Sequence, residues 1–294
     1  MKPAPFDYRA PRSVDEALEL LSHDAEDTKV LAGGMSLGPL LNLRLSAPSV
    51  LMDLNGVSQL AYGRIDEGTL RIGAMWRQRS LERSANVAAG WPLLTDAIHW
   101  VAHPTVRNRG TVGGSLSHAD PSAELPTVAL ALDATLVVGN ARRQRTITAS
   151  DFFVTFLATA MEKDELLLEV QFPPTGLAGS TWTEHATRRG DFAQVGIACV
   201  VLAATDGTVA STSIALGGIS DTPVKVPEDL VGELVGSSLD DAATAEFAAA
   251  VAAAFEPSPD LLAGTEYKRR LIRHLLPTAL RSAHDKSRHA HGHH

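Results

Sequence analysis

The sequence predicts an α+β chain in three parts: a small N-terminal α/β unit, a larger middle α/β unit, and a C-terminal domain of antiparallel sheet with helices. Three observations predict it. Short apolar runs alternate with helical leucine patterns through the first 175 residues, Pro173-Pro174-Thr175-Gly176 then punctuates the chain, and three strand-like runs follow it before two helices. The expected divisions are residues 1–56, 57–175 and 176–283, with 284–294 as a disordered, His-rich tail that could be an expression addition.

Each element has a local reason. Ser13 followed three residues later by Glu16 is a capping box opening the first helix. Thr28 to Ala32 is a short apolar run suited to a buried strand, and leucines at 37, 40, 41 and 43 with Pro39 in the first turn predict a helix over Leu37 to Arg44. In the middle unit, Gly68 to Gly73, Thr135 to Val138 and Glu165 to Phe172 read as strands, and Pro92 to Ala102 reads as a helix. A second helix is expected from about Pro121 to Leu132, capped by Asp120. Arg142, Arg143 and Arg145 cluster in an expected hairpin, where a solvated turn explains them as well as docking does. Beyond the linker, Ser180 to Thr187, Val195 to Ala204 and Val209 to Gly217 read as antiparallel strands, the last two joined at Asp206-Gly207. The alanine-rich segment Ala242 to Phe255 and the leucine-bearing Glu266 to Leu280 read as helices covering one sheet face.

Composition bounds the function. A chain of 294 residues with 45% hydrophobic residues can build two or three cores, and it contains no long apolar run of membrane-span type. The start, Met1-Lys2-Pro3-Ala4-Pro5, lacks a signal-peptide pattern, and a cytoplasmic protein is expected. A net charge of −8 argues against nucleic acid. One cysteine, Cys199, cannot hold a four-thiolate iron–sulfur cluster and reads as a buried core thiol. Five of the 11 histidines lie in the final stretch, and the others, among them His99, His103, His118 and His185, lack metal-ligand spacing, so no protein metal site is expected.

Two glycine-rich stretches carry the chemistry: AGGMSL at Ala32 to Leu37 and RNRGTVGGSLSHADPSAELP at Arg107 to Pro126. Glycine pairs permit positive φ and remove the Cβ that would hold a phosphate away, so Gly33-Gly34 or Gly113-Gly114 can present a nest of backbone N–H donors. The first pair sits at a strand-to-helix turn with Ser36 as natural N-cap, where the helix dipole favours an anion. In the second, Thr111, Ser115 and Ser117 add hydroxyls, and Asp120 and Glu124 add carboxylates able to accept from sugar or ribityl hydroxyls. That mixture suits a polyol attached to a diphosphate, as in FAD. A tight turn with a capped helix and no ligand would use the first motif equally, and Arg107 and Arg109 could be only a solvated face. Gly34-Met35-Ser36-Leu37-Gly38 also matches the nucleophile elbow of serine hydrolases, with Ser36 as nucleophile, but the strands and the oxyanion loop that should precede an elbow are missing.

On these motifs the chain resembles the FAD-binding medium subunits of molybdenum hydroxylases, the group of the carbon monoxide dehydrogenase medium subunit and the xanthine dehydrogenase flavin domain. The resemblance covers nearly the whole chain: PFDYRAPRSVDEALELL at the start, the two glycine motifs, ELLLEVQFP, RRGDFAQVGIA, GGISDTPVK, and EYKRRLIRHLL as closing helix. It implies that the first two units form a two-part FAD-binding region. Its cofactor-binding residues would be Val30, Leu31, Ala32, Gly33, Gly34, Met35, Ser36 and Leu37 in the first motif and Gly110, Thr111, Val112, Gly113, Gly114 and Ser115 in the second. Asp120 and Glu124 would bind ribityl or ribose hydroxyls, and Val101, Leu167, the region of Glu184 or His185, and Phe192 would touch the flavin further out. Met35 stands where many relatives have a polar residue, which leaves only a backbone contact there. The resemblance further implies an electron-transfer subunit with no catalytic acid or base of its own. A large partner subunit would carry the molybdenum cofactor and a small one 2Fe-2S clusters, two copies of each of the three chains forming a heterohexamer. A non-redox assembly module with an empty or structural flavin site is the alternative.

Overall fold

The computed structural model describes residues 2–291. Near the N-terminus the strands Asp7–Arg9, Thr28–Leu31 and Val50–Asp53 form a parallel sheet with the third strand in the centre, Asp7 facing Val50 and Leu31 facing Asp53. Parallel neighbours need crossovers, and the helices Val14–His23 and Leu37–Asn42 supply them. The Ser13 hydroxyl accepts from the Glu16 N–H at 3.1 Å, while the Glu16 carboxylate reaches back to the Arg12 N–H at 2.7 Å, one residue before the partner a capping box prescribes. Ala17, Leu18 and Leu21 lock this helix over Met52 and Leu54.

The middle sheet is antiparallel throughout, in the order Gly63–Asp66, Thr69–Gly73, Leu166–Phe172, Thr135–Gly139, Gln144–Thr148. Leu70, Ile72, Leu136, Val138, Val170 and Phe172 pack in one core with residues of the helices Pro92–Ile98, Val112–His118 and Glu124–Ala131. Each such side chain, fully buried, stabilises by about 1.5–3 kcal/mol. The arginine cluster does fall on a hairpin, and Arg143 and Arg145 are ion-paired to Glu162 and Glu165 at 2.9 and 2.8 Å.

The C-terminal sheet runs Gly179–His185, Val195–Ala203, Val209–Gly217, Val224–Lys225, all antiparallel. One of its two inner strands, Val195–Ala203, reads as a continuous apolar run because both faces are buried. Val195, Ile197, Cys199 and Val201 pack with Phe247, Val251, Ile272 and Leu276 of the helices Asp241–Ala254 and Thr265–His291, while Ala198 and Ala215 join the middle core. Packing therefore crosses the expected divisions, as Leu166 and Leu168 also do by joining the N-terminal core.

Two expectations are corrected. Residues 284–291 are not a disordered tail: they continue the last helix, His284 and Ser287 are buried, and the Ser287 hydroxyl accepts from the Ala203 N–H at 2.9 Å and donates to the Leu177 carbonyl at 2.8 Å. Residues 292–294 of that expected tail lie outside the described residues. The helix expected from Pro121 starts at Glu124 instead, because Asp120 turns its carboxylate to the Ser122 N–H at 2.9 Å in a local turn rather than capping a helix.

Candidate functional site

The first glycine motif leaves the parallel sheet at the carboxyl ends of its strands, where open sheets form crevices. Val30 and Leu31 are strand residues, Ala32 and Gly33 bend away, and Gly34 turns the chain with φ 75°. The backbone N–H groups of Gly33, Gly34, Met35, Ser36 and Leu37 take no acceptor among the described residues; the first closing bond is Gly38 N–H to the Gly34 carbonyl at 2.9 Å. Ser36, expected as a capping hydroxyl, makes no side-chain cap bond. A run of five free donors on one turn matches the oxygens of a diphosphate.

The second motif is built differently from the nest expected at Gly113-Gly114. The helix Val112–His118 contains both glycines, neither has positive φ, and their donors are used. The Val112 N–H donates to the Trp76 carbonyl at 3.0 Å, that of Gly113 to the Ala74 carbonyl at 2.9 Å, and that of Gly114 to the Thr111 hydroxyl at 3.0 Å. Glycine is required here for close approach. A Cβ on Gly113 would lie 2.4 Å from the Ala74 Cβ, and one on Gly114 would lie 2.7 Å from the Thr111 Oγ1 and 3.3 Å from the Ala32 Cβ. From the other side, a Cβ on Gly33 would sit 2.3 Å from the Arg109 carbonyl oxygen and 2.8 Å from the Gly110 Cα. The two motifs, some eighty residues apart in sequence, therefore interlock through bare backbone.

Around this junction the other expected residues divide. Ser115 is half-buried on the short helix one turn from Thr111. Glu124 is buried and its carboxyl is pushed up to about 8, first by desolvation and then by the charge of Glu184, itself pushed up to about 7 by burial. Glu184 accepts from the Trp182 indole N–H at 2.8 Å through one oxygen and leaves the other without a partner. Asp120 adds to the same acidic group. Val101 lies in the loop after Pro92–Ile98, and the segment bearing Phe192 comes to it: Gly190 would press a Cβ to 3.0 Å from the Ala102 carbonyl, and the Arg189 guanidinium sits 4.2 Å over the Trp100 ring. Phe192 is exposed, and His185, ending its strand, meets the Tyr267 hydroxyl at 3.1 Å. Leu167 is buried in the middle core, in one cluster with Val112 and Leu116 of the second motif's helix, and next to it the Leu168 carbonyl accepts from the Ala74 N–H at 3.0 Å.

Arg107 is not a solvated face. It is buried, holds Glu82 through two nitrogens at 3.1 Å each, and donates to the Val101 and Ala102 carbonyls at 2.7 and 3.2 Å. Burial acts to raise the Glu82 carboxyl, but hydrogen bonds from Arg107 and Arg79 hold it below the usual carboxylate range. Sequence reasoning missed Asp53, Asn55, Arg77 and Gln78, which line the junction. The position of Asp53 at the end of a strand and of Asn55 just past it, beside the glycine turn, was a usable signal; nothing marked Arg77. A cleft of about 500 Å³ lies elsewhere, against the outer face of the middle sheet. Its Glu169 is already satisfied by Tyr62, Arg71 and Gln171 at 2.6, 3.0 and 2.7 Å, and none of the expected site residues lines it.

Comparison with known proteins agrees with this geometry. Residues 4–175 match the family model described as the FAD binding domain in molybdopterin dehydrogenase, and residues 180–283 match the CO dehydrogenase flavoprotein C-terminal domain. The chain is 37% identical, over 98% of its length and 97% of the relative's, to the 6-hydroxypseudooxynicotine dehydrogenase complex subunit alpha of Paenarthrobacter nicotinovorans. It is 35% identical to the carbon monoxide dehydrogenase medium chain of Hydrogenophaga pseudoflava, over 96% of this chain and 98% of that one. Among solved structures, a chain of quinoline 2-oxidoreductase from Pseudomonas putida 86 superposes with TM-score 0.94 at 33% identity, over 98% of this chain and all of that one. A chain of the Hydrogenophaga pseudoflava carbon monoxide dehydrogenase gives 0.93 at 34%, over 97% and 99%. The glycine junction and these matches lead to one conclusion: the chain belongs to the family of FAD-binding medium subunits of the molybdenum hydroxylases, as part of an oxidoreductase.

Proposed function

We propose that this chain holds FAD through the Gly33 to Leu37 turn and serves as the exit for electrons in a three-subunit molybdenum hydroxylase. The observation that carries the reading is the run of five unused backbone donors on a turn locked against the second glycine motif. The donors fit the diphosphate, and the buried Glu124, with Asp120 beside it, fits the hydroxyls of the polyol chain. Bound FAD supplies reversible one- and two-electron chemistry. The chain's own part is to neutralise the diphosphate with fixed N–H dipoles, to orient the ring from the side of Val101, His185 and Phe192, and to keep water from its buried flank. No side chain is asked to act as catalytic acid or base.

The same reading assigns the molybdenum cofactor to a large partner subunit and 2Fe-2S clusters to a small one, with two copies of each chain. It is supported by relatives that are themselves named as medium chains or as subunits of dehydrogenase complexes, and by the single cysteine, which leaves this chain no thiolate set of its own. A cytoplasmic location goes with it, and no helix among the described residues is long and apolar enough to cross a membrane. The test is the visible spectrum of the purified chain, followed by heat release and mass identification of the chromophore. FAD near one per chain, retained by the unmodified protein and lost in Gly114→Val at unchanged helical signal, supports the reading. Equal retention in the variant overturns the site, and a chain that neither carries nor takes up FAD overturns the function.

A further inference from the structure

The two motifs belong to different parts of the fold, and each is anchored to its own strand end. The second is strapped to residues 74–78 by backbone bonds: Val112 N–H to Trp76, Gly113 N–H to Ala74 and Gln78 N–H to Gly110, at 2.9–3.0 Å. The first is anchored at the end of Val50–Asp53. The Tyr8 hydroxyl donates to Asp53 at 2.6 Å, the other Asp53 oxygen accepts from the Asn55 N–H at 2.8 Å, and the Asn55 amide donates to the Ala32 carbonyl at 2.9 Å. Between these anchors stands one side chain. One Arg77 nitrogen donates to the Asn55 side-chain oxygen at 2.6 Å, and another donates to the carbonyl of Arg109, the same oxygen against which Gly33 is pressed.

We infer that Arg77 is the positioning residue of the flavin site: its guanidinium, through Asn55 and the Arg109 carbonyl, holds the two glycine motifs in the register that leaves the Gly33 to Leu37 donors converging on an anion. The inference rests on the flavin reading and adds residues to which that reading gives no role. The fork geometry matters, because two acceptors in different elements need two donors held at a fixed separation, which a guanidinium provides and an ammonium does not. Burial together with the neighbouring charge of Arg109 disfavours the Arg77 cation. A diphosphate at the adjacent donors relieves that repulsion, so ligand and bridge stabilise one another.

The test uses the full chain with FAD as titrant, flavin fluorescence quenching as the readout of Kd, and thermal melts of the FAD-free protein. Arg77→Gln and Asn55→Ala are each expected to raise Kd about tenfold or more, with the FAD-free melting temperature within about 2 °C of the unmodified chain. The double variant is expected to lose less binding free energy than the sum of the two single losses, since both break the same Arg77–Asn55 bond. Arg77→Lys is expected not to restore affinity. Arg77→Gln binding within about twofold of the unmodified chain, full restoration by Lys, or a loss of affinity that merely follows a collapsed melt each overturns the inference and leaves the flavin site standing. If the unmodified chain binds no FAD, the flavin reading fails and this inference fails with it.

Discussion

Gly33→Ala is the sharpest perturbation of the junction, because it changes one atom where backbone meets backbone. The new Cβ would lie 2.3 Å from the Arg109 carbonyl oxygen, 2.8 Å from the Gly110 Cα and 2.9 Å from the Arg109 carbonyl carbon, while ordinary contact begins at 3.4 Å. The clash cannot be relieved by rotating a side chain, since all three atoms are main chain; the two motifs must part by roughly 1 Å, at an overpacking cost of about 1–3 kcal/mol. That separation pulls the Arg109 carbonyl from Arg77 and displaces the donors at Gly34 to Leu37, so FAD affinity should fall about tenfold to a hundredfold, each tenfold being about 1.4 kcal/mol. Gly38→Ala, five residues on, is the matched control: nothing lies within 4 Å of its Cβ, it is helical, and alanine is there the better helix former by about 0.5–1 kcal/mol. Fluorescence titration of both variants with FAD, alongside their melts, reads the difference. If Gly33→Ala binds FAD as tightly as Gly38→Ala, the interlocking of the motifs does not shape the site and the reasoning is refuted.

Three further outcomes follow from the same geometry. Glu124 keeps its proton to about pH 8 in the folded chain but releases it near pH 4.5 when unfolded, so over that window the unfolded chain binds fewer protons and stability falls as pH rises. In denaturant melts of the FAD-free chain Glu124 alone should account for a loss on the order of 3 kcal/mol between pH 5 and pH 8, Glu184, raised to about 7, should add a loss of the same sign, and Glu124→Gln should make the profile shallower; an equal slope in the variant refutes the buried-acid account. Arg107→Met leaves the buried Glu82 carboxylate with Arg79 at 2.7 Å and the His99 imidazole at 3.8 Å, and should cost roughly 3 kcal/mol in urea unfolding, whereas a loss below about 1 kcal/mol would show the pair to be solvated. Cys199, fully buried with its thiol pushed up to about 12, should stay unmodified by a thiol reagent at pH 8 until denaturant is added, and rapid native labelling would contradict its burial.

Legibility in the sequence followed the range of the interactions involved. The helix at Val14–His23 was readable because its capping box and leucine spacing are local, and the strand Val209–Gly217 because its pattern and the Asp206-Gly207 turn lie within a few residues. Helix ends were less so: Asp120 accepts from the Ser122 N–H in an Asx turn rather than capping, and the helix begins only at Glu124. The final helix runs on into the His-rich stretch, whose composition by itself looks solvent-loving. Its burial against Ala203 and Leu177 depends on a sheet formed from distant residues.

The site divides in the same way. By itself the sequence determined that two glycine motifs exist, that the first is a strand-to-helix turn able to present bare N–H groups, and that the chain has one cysteine and no thiolate set for a cluster. Only the tertiary structure decided that Gly113 and Gly114 serve close packing while the free donors belong to Gly33 through Leu37, that Arg107 is a buried clamp, and that Arg77 and Asn55 join the motifs. The physical reason is that a glycine's conformational freedom and a turn's chemistry are properties of a few consecutive residues. Which N–H remains unpaired, and which arginine is desolvated, depends on what distant segments bring within about 3 Å, a distance that no spacing along the chain encodes.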